Sequence, residues 1–173
     1  MEADIAGAEA AIEQARRLFL DPRNSHGCAE TTFVALKAAY GIEHADDSSA
    51  AMALNGGVAY AGGACGAITG AALAVGLLAG RRLADHSAAK RVAREVVAGV
   101  MEEFRAEHGS VDCRALIELD LRAPGAHTAF LRSGAWVDRC MPQIEFVLRR
   151  LAPLVDAAAW KAAVARIEAL PSS

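Results

Sequence analysis

Aromatic residues are scarce in this sequence, 5% of 173 residues, and there are only five prolines. A core with few rings has to be built from alanine, leucine and valine, which suit closely spaced helices. No stretch alternates apolar and polar residues as a half-buried strand does, so an all-β fold is disfavoured. An apolar content of 54% argues equally against disorder. Positive charge is also short. The 18 Lys and Arg residues against 21 Asp and Glu leave a formal net charge of −3, with the arginines spread along the chain. No basic face is left to hold a phosphate backbone, and nucleic acid is not an expected partner.

Other absences narrow the chemistry. Met1-Glu2-Ala3-Asp4 places acidic residues where a secretory leader carries lysine or arginine and then an apolar run, so the expected location is cytoplasmic. No C-x-x-C pair is present, which removes the zinc-finger and thioredoxin spacings. His44, His86, His108 and His127 have no H-E-x-x-H or paired-carboxylate pattern around them and are assigned no role. His26 sits two residues before Cys28 but reads better as a surface loop histidine than as its partner. Asp46-Asp47 lacks the rest of an EF-hand loop, and the glycine-rich segment has no G-K-[ST] ending, so calcium and nucleotide phosphates are not indicated. The longest charge-free stretch, Ser48 to Gly80, is followed by Arg81-Arg82 as a membrane span with a cytoplasmic flank would be. Asn55, Gly56, Gly57, Gly62, Gly63 and Gly66 interrupt its first half, and its alanines gain little in lipid. A glycine-rich turn followed by a buried central helix is the expected form.

Helical periodicity is what the chain has in abundance. Ile5, Ala8, Ile12, Ala15 and Phe19 share one face of a helix over Ala3 to Leu20, stopped by Asp21-Pro22. A second helix is expected from Cys28 to Tyr40, with Phe33 and Leu36 inward and Gly41 after its end. Met52 to Leu54 reads as a short turn, and the central helix runs from about Cys65 to Leu78, closed by Gly80. Gly62, Gly66 and Gly70 form a stripe without side chains that lets another helix approach closely, within the chain or in a homodimer. Ser87 to His108 is amphipathic, with Val92, Val96, Val100 and Phe104 in one stripe. Shorter or less patterned helices follow over Ser110 to Leu119, Arg139 to Leu151 and Asp156 to Leu170, and Trp136 and Trp160 read as core residues. No linker or repeat divides residues 1–173. The expected fold is therefore all-α, a single-domain bundle of six to eight helices.

Four cysteines carry the chemistry. Cys28, Cys65, Cys113 and Cys140 are far apart in sequence, yet each falls where a helix is expected to begin. A helix N-terminus presents unpaired N–H groups and about half a positive charge, which stabilises a thiolate and lowers the pKa from roughly 8.5. Thiolates attack disulfides and bind soft metals or iron–sulfur clusters. The bland reading is that of four small buried hydrophobes in an alanine-rich core.

The run Gly62-Gly63-Ala64-Cys65-Gly66-Ala67-Ile68-Thr69-Gly70 resembles the C-G-A-x-x-G signature of the C_GCAxxG_C_C family of four-cysteine proteins. Gly27-Cys28-Ala29-Glu30 is similar to its first cysteine, Cys113 to its third, and Cys140, ahead of Pro142, to its fourth. The resemblance spans about Cys28 to Leu151, in the order and spacing of the family. It implies a small bacterial or archaeal helical protein that is redox-active through its cysteines, with no assigned substrate. One departure is Leu54-Asn55-Gly56-Gly57-Val58, where relatives tend to have an aromatic residue followed by three glycines.

Three functions follow as expectations. In the first, Cys28, Cys65, Cys113 and Cys140 converge and exchange electrons as dithiol and disulfide pairs, in one of three connectivities, with an unidentified redox partner. In the second, the same four thiolates ligate an iron–sulfur cluster or zinc, and the chain is an electron carrier or metal-binding module. Gly63 and Gly66, beside the second cysteine, are the candidate contacts for any cofactor. In the third, the domain is a non-catalytic helical interaction module with inert cysteines.

Overall fold

The computed structural model describes the backbone of residues 2–170 and the side chains of residues 7–170. Eight α-helices account for most of these residues: α1 Glu2–Phe19, α2 Cys28–Ala39, α3 Gly66–Arg82, α4 His86–His108, α5 Cys113–Ile117, α6 Ala126–Ser133, α7 Ala135–Leu151 and α8 Ala157–Glu168. Two short 3-10 segments, Ser49–Leu54 and Ala152–Val155, join them. The only pairing of extended backbone among the described residues is one isolated antiparallel bridge between Ala64 and Asp112. The all-α bundle expected from periodicity is the fold. No described helix is long and apolar enough to cross a membrane.

Helix α2 lies at the centre, packed by α1, α3 and α7. Its position follows from its composition, since Ala29, Thr31, Thr32, Ala35 and Leu36 are wholly buried around its circumference. The one buried lysine, Lys37, has local partners: its Nζ donates to the carbonyls of His44 (2.8 Å) and Asp47 (2.6 Å) and lies 4.5 Å from the Phe33 ring centre. The first helix buries Ala8, Ile12, Ala15 and Phe19 as expected, while the side chain of Ile5 is outside the described residues.

The approach of α2 to α3 is set by two glycines. A Cβ on Gly70 would stand 2.2 Å from the Ala29 carbonyl oxygen, and one on Gly66 would stand 2.2 Å from Cys28 Sγ. Neither fits without moving a backbone, so these positions hold glycine for packing within the chain. The stripe is therefore occupied by α2 and is not available to a second copy. Gly62, its expected first member, precedes the helix and faces Arg114 instead.

Several boundaries differ from expectation for local reasons. Helix α3 passes Gly80 and ends at Arg82, where Arg81 donates to the Gly41 carbonyl (2.9 Å) and Arg82 to that of Leu154 (3.0 Å). These contacts favour helix over a stop at glycine. Helix α5 is only five residues long, because Val111 and Asp112 are drawn into the bridge with Ala64. Residues 126–133, where the spacing of apolar residues predicts no element, form α6. Gly134, at φ 73°, ends α6 and caps the start of α7. Trp160 is buried and Trp136 half-buried, its Nε1 donating to the Leu131 carbonyl.

The two glycine environments on α3 give opposite expectations. Gly70→Ala should destabilise the fold by about 1–3 kcal/mol through overpacking. Gly76→Ala, with nothing within 4 Å of the added carbon, should stabilise it by about 0.5–1 kcal/mol through helix propensity. Urea denaturation of the two variants checks both signs.

Candidate functional site

Cys28 is the first residue of α2, preceded by the extended cap Gly27. A capping box holds this turn in place, as the Gly27 N–H donates to Glu30 Oε2 (3.0 Å). The Glu30 carboxylate is buried and also accepts from Ser48 Oγ (2.9 Å) and Asn55 Nδ2 (2.8 Å). Asn55 Oδ1 in turn accepts from the Ala29 N–H (3.0 Å) and is the nearest acceptor to Cys28 Sγ, at 4.0 Å. One carboxylate and one amide thus fix the start of α2 against the loop that follows the first 3-10 segment.

That loop has an uncommon backbone. Gly56, Gly57, Val58, Ala59 and Tyr60 all have φ between 50° and 70°, forming one left-handed turn. The three non-glycine residues cost about 1–2 kcal/mol each in this region. Hydrogen bonds that each span six residues offset that cost: Ala59 N–H to Ala53 O (2.8 Å), Gly62 N–H to Gly56 O and Gly63 N–H to Gly57 O (3.0 Å each). The turn also delivers Gly63 to the bridge, where the Cys113 N–H donates to its carbonyl (2.7 Å) and the Cys65 N–H donates to Val111 O (2.8 Å). Cys65 and Cys113 are in this way tied to one another through backbone. Gly63 has a structural role in that tie, as Gly66 has in the α2 contact.

Cys28, Cys113 and Cys140 line one cavity of about 160 Å³ together with Phe19, Tyr60, His127 and Trp136. Cys65 does not line it. It is buried behind, its Sγ donating to Gln143 Oε1 (3.3 Å), near enough to Cys28, Cys140 and Cys113 for their charges to oppose its own. All four cysteines are free thiols. Among the described residues no three His, Cys, Asp or Glu side chains are placed to hold a metal ion. The thiols as arranged do not make a ligand set for zinc or a cluster.

Two expectations about the cysteines are corrected. Cys28 begins α2, Cys65 caps α3 and Cys113 begins the short α5, but Cys140 is inside α7, which starts five residues earlier at Ala135. The thiols are also not acidic. Burial raises the Cys28 thiol above its ordinary value of 9.0, against the pull of the Gly56, Ala29, Cys28 and Gly66 backbone N–H groups. Burial and the Cys28 charge raise Cys113 to about 12, and Cys140 is raised by burial and by Cys28 and Cys113. Cys65 is raised furthest from solvent, by burial and then by Cys28. Desolvation exceeds the helix-terminus effect at every site.

The description "Putative redox-active protein (C_GCAxxG_C_C)" names the family that matches residues 26–153. The chain belongs to that family. No curated protein and no solved structure matches it. The C_GCAxxG_C_C match begins just before Cys28 and ends just after α7, so it covers all four cysteines and leaves out α1 and α8. Both outer helices pack on the matched core, α1 against α2 and α7, α8 against α4 and the second 3-10 segment.

Sequence reasoning missed four residues of this site. Glu30 was legible as the third helical residue of a capping box. Asn55 stood in the glycine-rich segment without a pattern of its own. His127 and Tyr60 meet only through the fold, their rings 4.6 Å apart at the cavity wall. His26 contacts Ser25 Oγ (2.9 Å) and is not on that wall.

A thiol whose pKa is raised by folding keeps its proton in the native state when the unfolded chain has lost it. The unfolded chain then binds fewer protons, so stability falls as pH rises above about 9. For Cys113 the loss continues until about pH 12. Reduced protein should show a falling midpoint of urea unfolding from pH 8.5 to 10.5, with a shallower fall in Cys113→Ser. A flat profile would contradict the burial of these thiols.

Proposed function

We propose that the chain is a thiol–disulfide redox protein whose working cysteines are Cys28, Cys113 and Cys140, with Cys65 behind them. The observation that supports this most directly is that three cysteines from three different helices line a single cavity. Inert core cysteines have no reason to gather on the wall of a void. The reading is of a cytoplasmic protein, where the resting state of the four residues is the thiol.

Cys28 is the attacking residue in this reading. Its sulfur is faced by N–H groups from the start of α2, the start of α3 and the left-handed turn, so its thiolate has donors already in place. The other three thiols are each opposed by a charge on Cys28. Once Cys28 ionises, they remain protonated. With an organic disulfide as oxidant, the Cys28 thiolate forms a bond to one sulfur of that disulfide and releases the other as a thiolate, which takes up a proton. A second cavity cysteine, losing its proton, attacks Cys28 Sγ. The protein disulfide forms, and the second half of the oxidant leaves as a thiol. Two protein thiols have been oxidised and one external disulfide reduced.

The test is peptide mapping after exposure of the folded, reduced protein to 2-hydroxyethyl disulfide, a small neutral reagent. One intramolecular disulfide drawn from Cys28, Cys113 and Cys140 is expected, and Cys28→Ser should slow its formation at least tenfold. Four thiols that stay free until the protein is unfolded would overturn the reading and leave an inert helical module.

A further inference from the structure

The cavity that holds the three thiols also has a definite size and polarity, and these identify what enters it. It is a cleft open to solvent on one side, and its volume of about 160 Å³ has room for a single ring. Its wall is mixed, with Asn24, Ser25 and Asn55 on the polar part and rings and aliphatic chains on the rest. Phe19 and Trp136 meet edge to face with centres 5.1 Å apart, and Ile117, Leu121 and Leu131 complete the apolar part. No lysine or arginine lines it, and its one acidic residue, Glu30, is already bonded to Gly27, Ser48 and Asn55. An anionic tripeptide disulfide is too large for this space and finds no cation there.

We propose that the cavity is a substrate site for a small neutral quinone of single-ring size, which the cavity cysteines reduce to the hydroquinone. This rests on the thiol redox reading above and gives it a substrate class. A quinone fits on three counts. It is flat, and the aromatic wall offers ring faces and edges at contact distance. It is uncharged, as a wall without cations requires. Its two carbonyl oxygens need hydrogen-bond donors, and the Tyr60 phenol and the His127 imidazole, tilted against one another on the cavity wall, can supply them.

The chemistry balances with the thiols present. The Cys28 thiolate adds to a ring carbon, forming a C–S bond, and one quinone oxygen takes up a proton. A second cavity cysteine, having lost its proton, attacks Cys28 Sγ. The S–S bond forms and the C–S bond breaks, its electron pair passes to the ring, and the other oxygen takes up a proton. Two thiols lose two electrons and two protons, and the quinone gains both. The left-handed turn matters here because it places Tyr60 on the wall and the Gly56 N–H near Cys28.

Binding and chemistry can be read separately. The chain has two tryptophans, so Trp160→Phe leaves Trp136, on the cavity wall, as the reporter. Titration of this reduced variant with hydroquinone should give a saturable change in emission with one site. Leu131→Phe, which fills the cavity, should weaken it at least tenfold while the helical circular dichroism is retained, and Ile117→Phe, from another helix, should do the same. One equivalent of 1,4-benzoquinone should yield one hydroquinone and one intramolecular disulfide, at least tenfold more slowly in Cys28→Ser. Absence of a saturable signal, or equal binding by both filled variants, overturns the proposal. Binding of hydroquinone without reduction of benzoquinone overturns it as well, because the cavity is then a ligand site without chemistry. Disulfide formation with 2-hydroxyethyl disulfide but no hydroquinone binding overturns the substrate class alone and leaves the thiol reading standing.

Discussion

Everything at the site depends on how closely the start of α2 lies against the start of α3. Gly66 faces Cys28 Sγ and Gly70 faces the Ala29 carbonyl at distances that leave no room for a methyl group. That contact brings two helix N-termini to one sulfur atom. It also fixes where the chain before α3 must run, and the left-handed turn from Gly56 to Tyr60 is the path it takes. The backbone strain of that turn is held by the bridge to Asp112 and by Arg122, which donates to the Ala59 carbonyl at 3.2 Å. The signature glycines of the family are accounted for by packing. Their effect on chemistry comes through the cysteine they seat.

Two opposing electrostatic effects meet at the thiols. Backbone N–H groups favour a thiolate at Cys28, and burial disfavours charge at all four positions. Burial prevails, so the resting site is a set of neutral thiols, three of them on the wall of one small cleft and Cys65 behind it. Such a set is slow toward bulk oxidants and toward charged reagents that cannot enter. In the proposed reaction it becomes reactive when a neutral molecule enters and one thiol, the one with donors already aimed at it, gives up its proton.

Much of this was legible in the sequence. The three- and four-residue spacing of apolar residues gave α1, α4 and α8 to within a residue or two, because each has a single buried face, while α2, buried all round, was bounded by Gly27 and Gly41 at its ends. The order of the four cysteines and the Gly62 to Gly70 run was enough for the family. The interior position of Cys140 was not legible: the start of α7 depends on Gly134 adopting a left-handed conformation between two helices, and residues 126–136 have no buried stripe to announce them. Nor were the raised pKa values. A helix N-terminus can be read locally, whereas desolvation depends on which distant helices cover the sulfur. Tyr60 and His127 stand 67 residues apart in sequence, and only the fold puts their rings in contact.

The central claim is that Cys28 is the first of the four thiols to ionise and react. Site-resolved alkylation of the folded, reduced protein by a small neutral reagent, iodoacetamide, followed by peptide mass spectrometry from pH 7 to 10, measures this directly. Cys28 should be labelled first at every pH, its rate rising about tenfold per pH unit over the lower part of the range, with Cys113 and Cys140 far slower and Cys65 unlabelled. Labelling of Cys113 or Cys140 ahead of Cys28, or equal rates at all four, would contradict it.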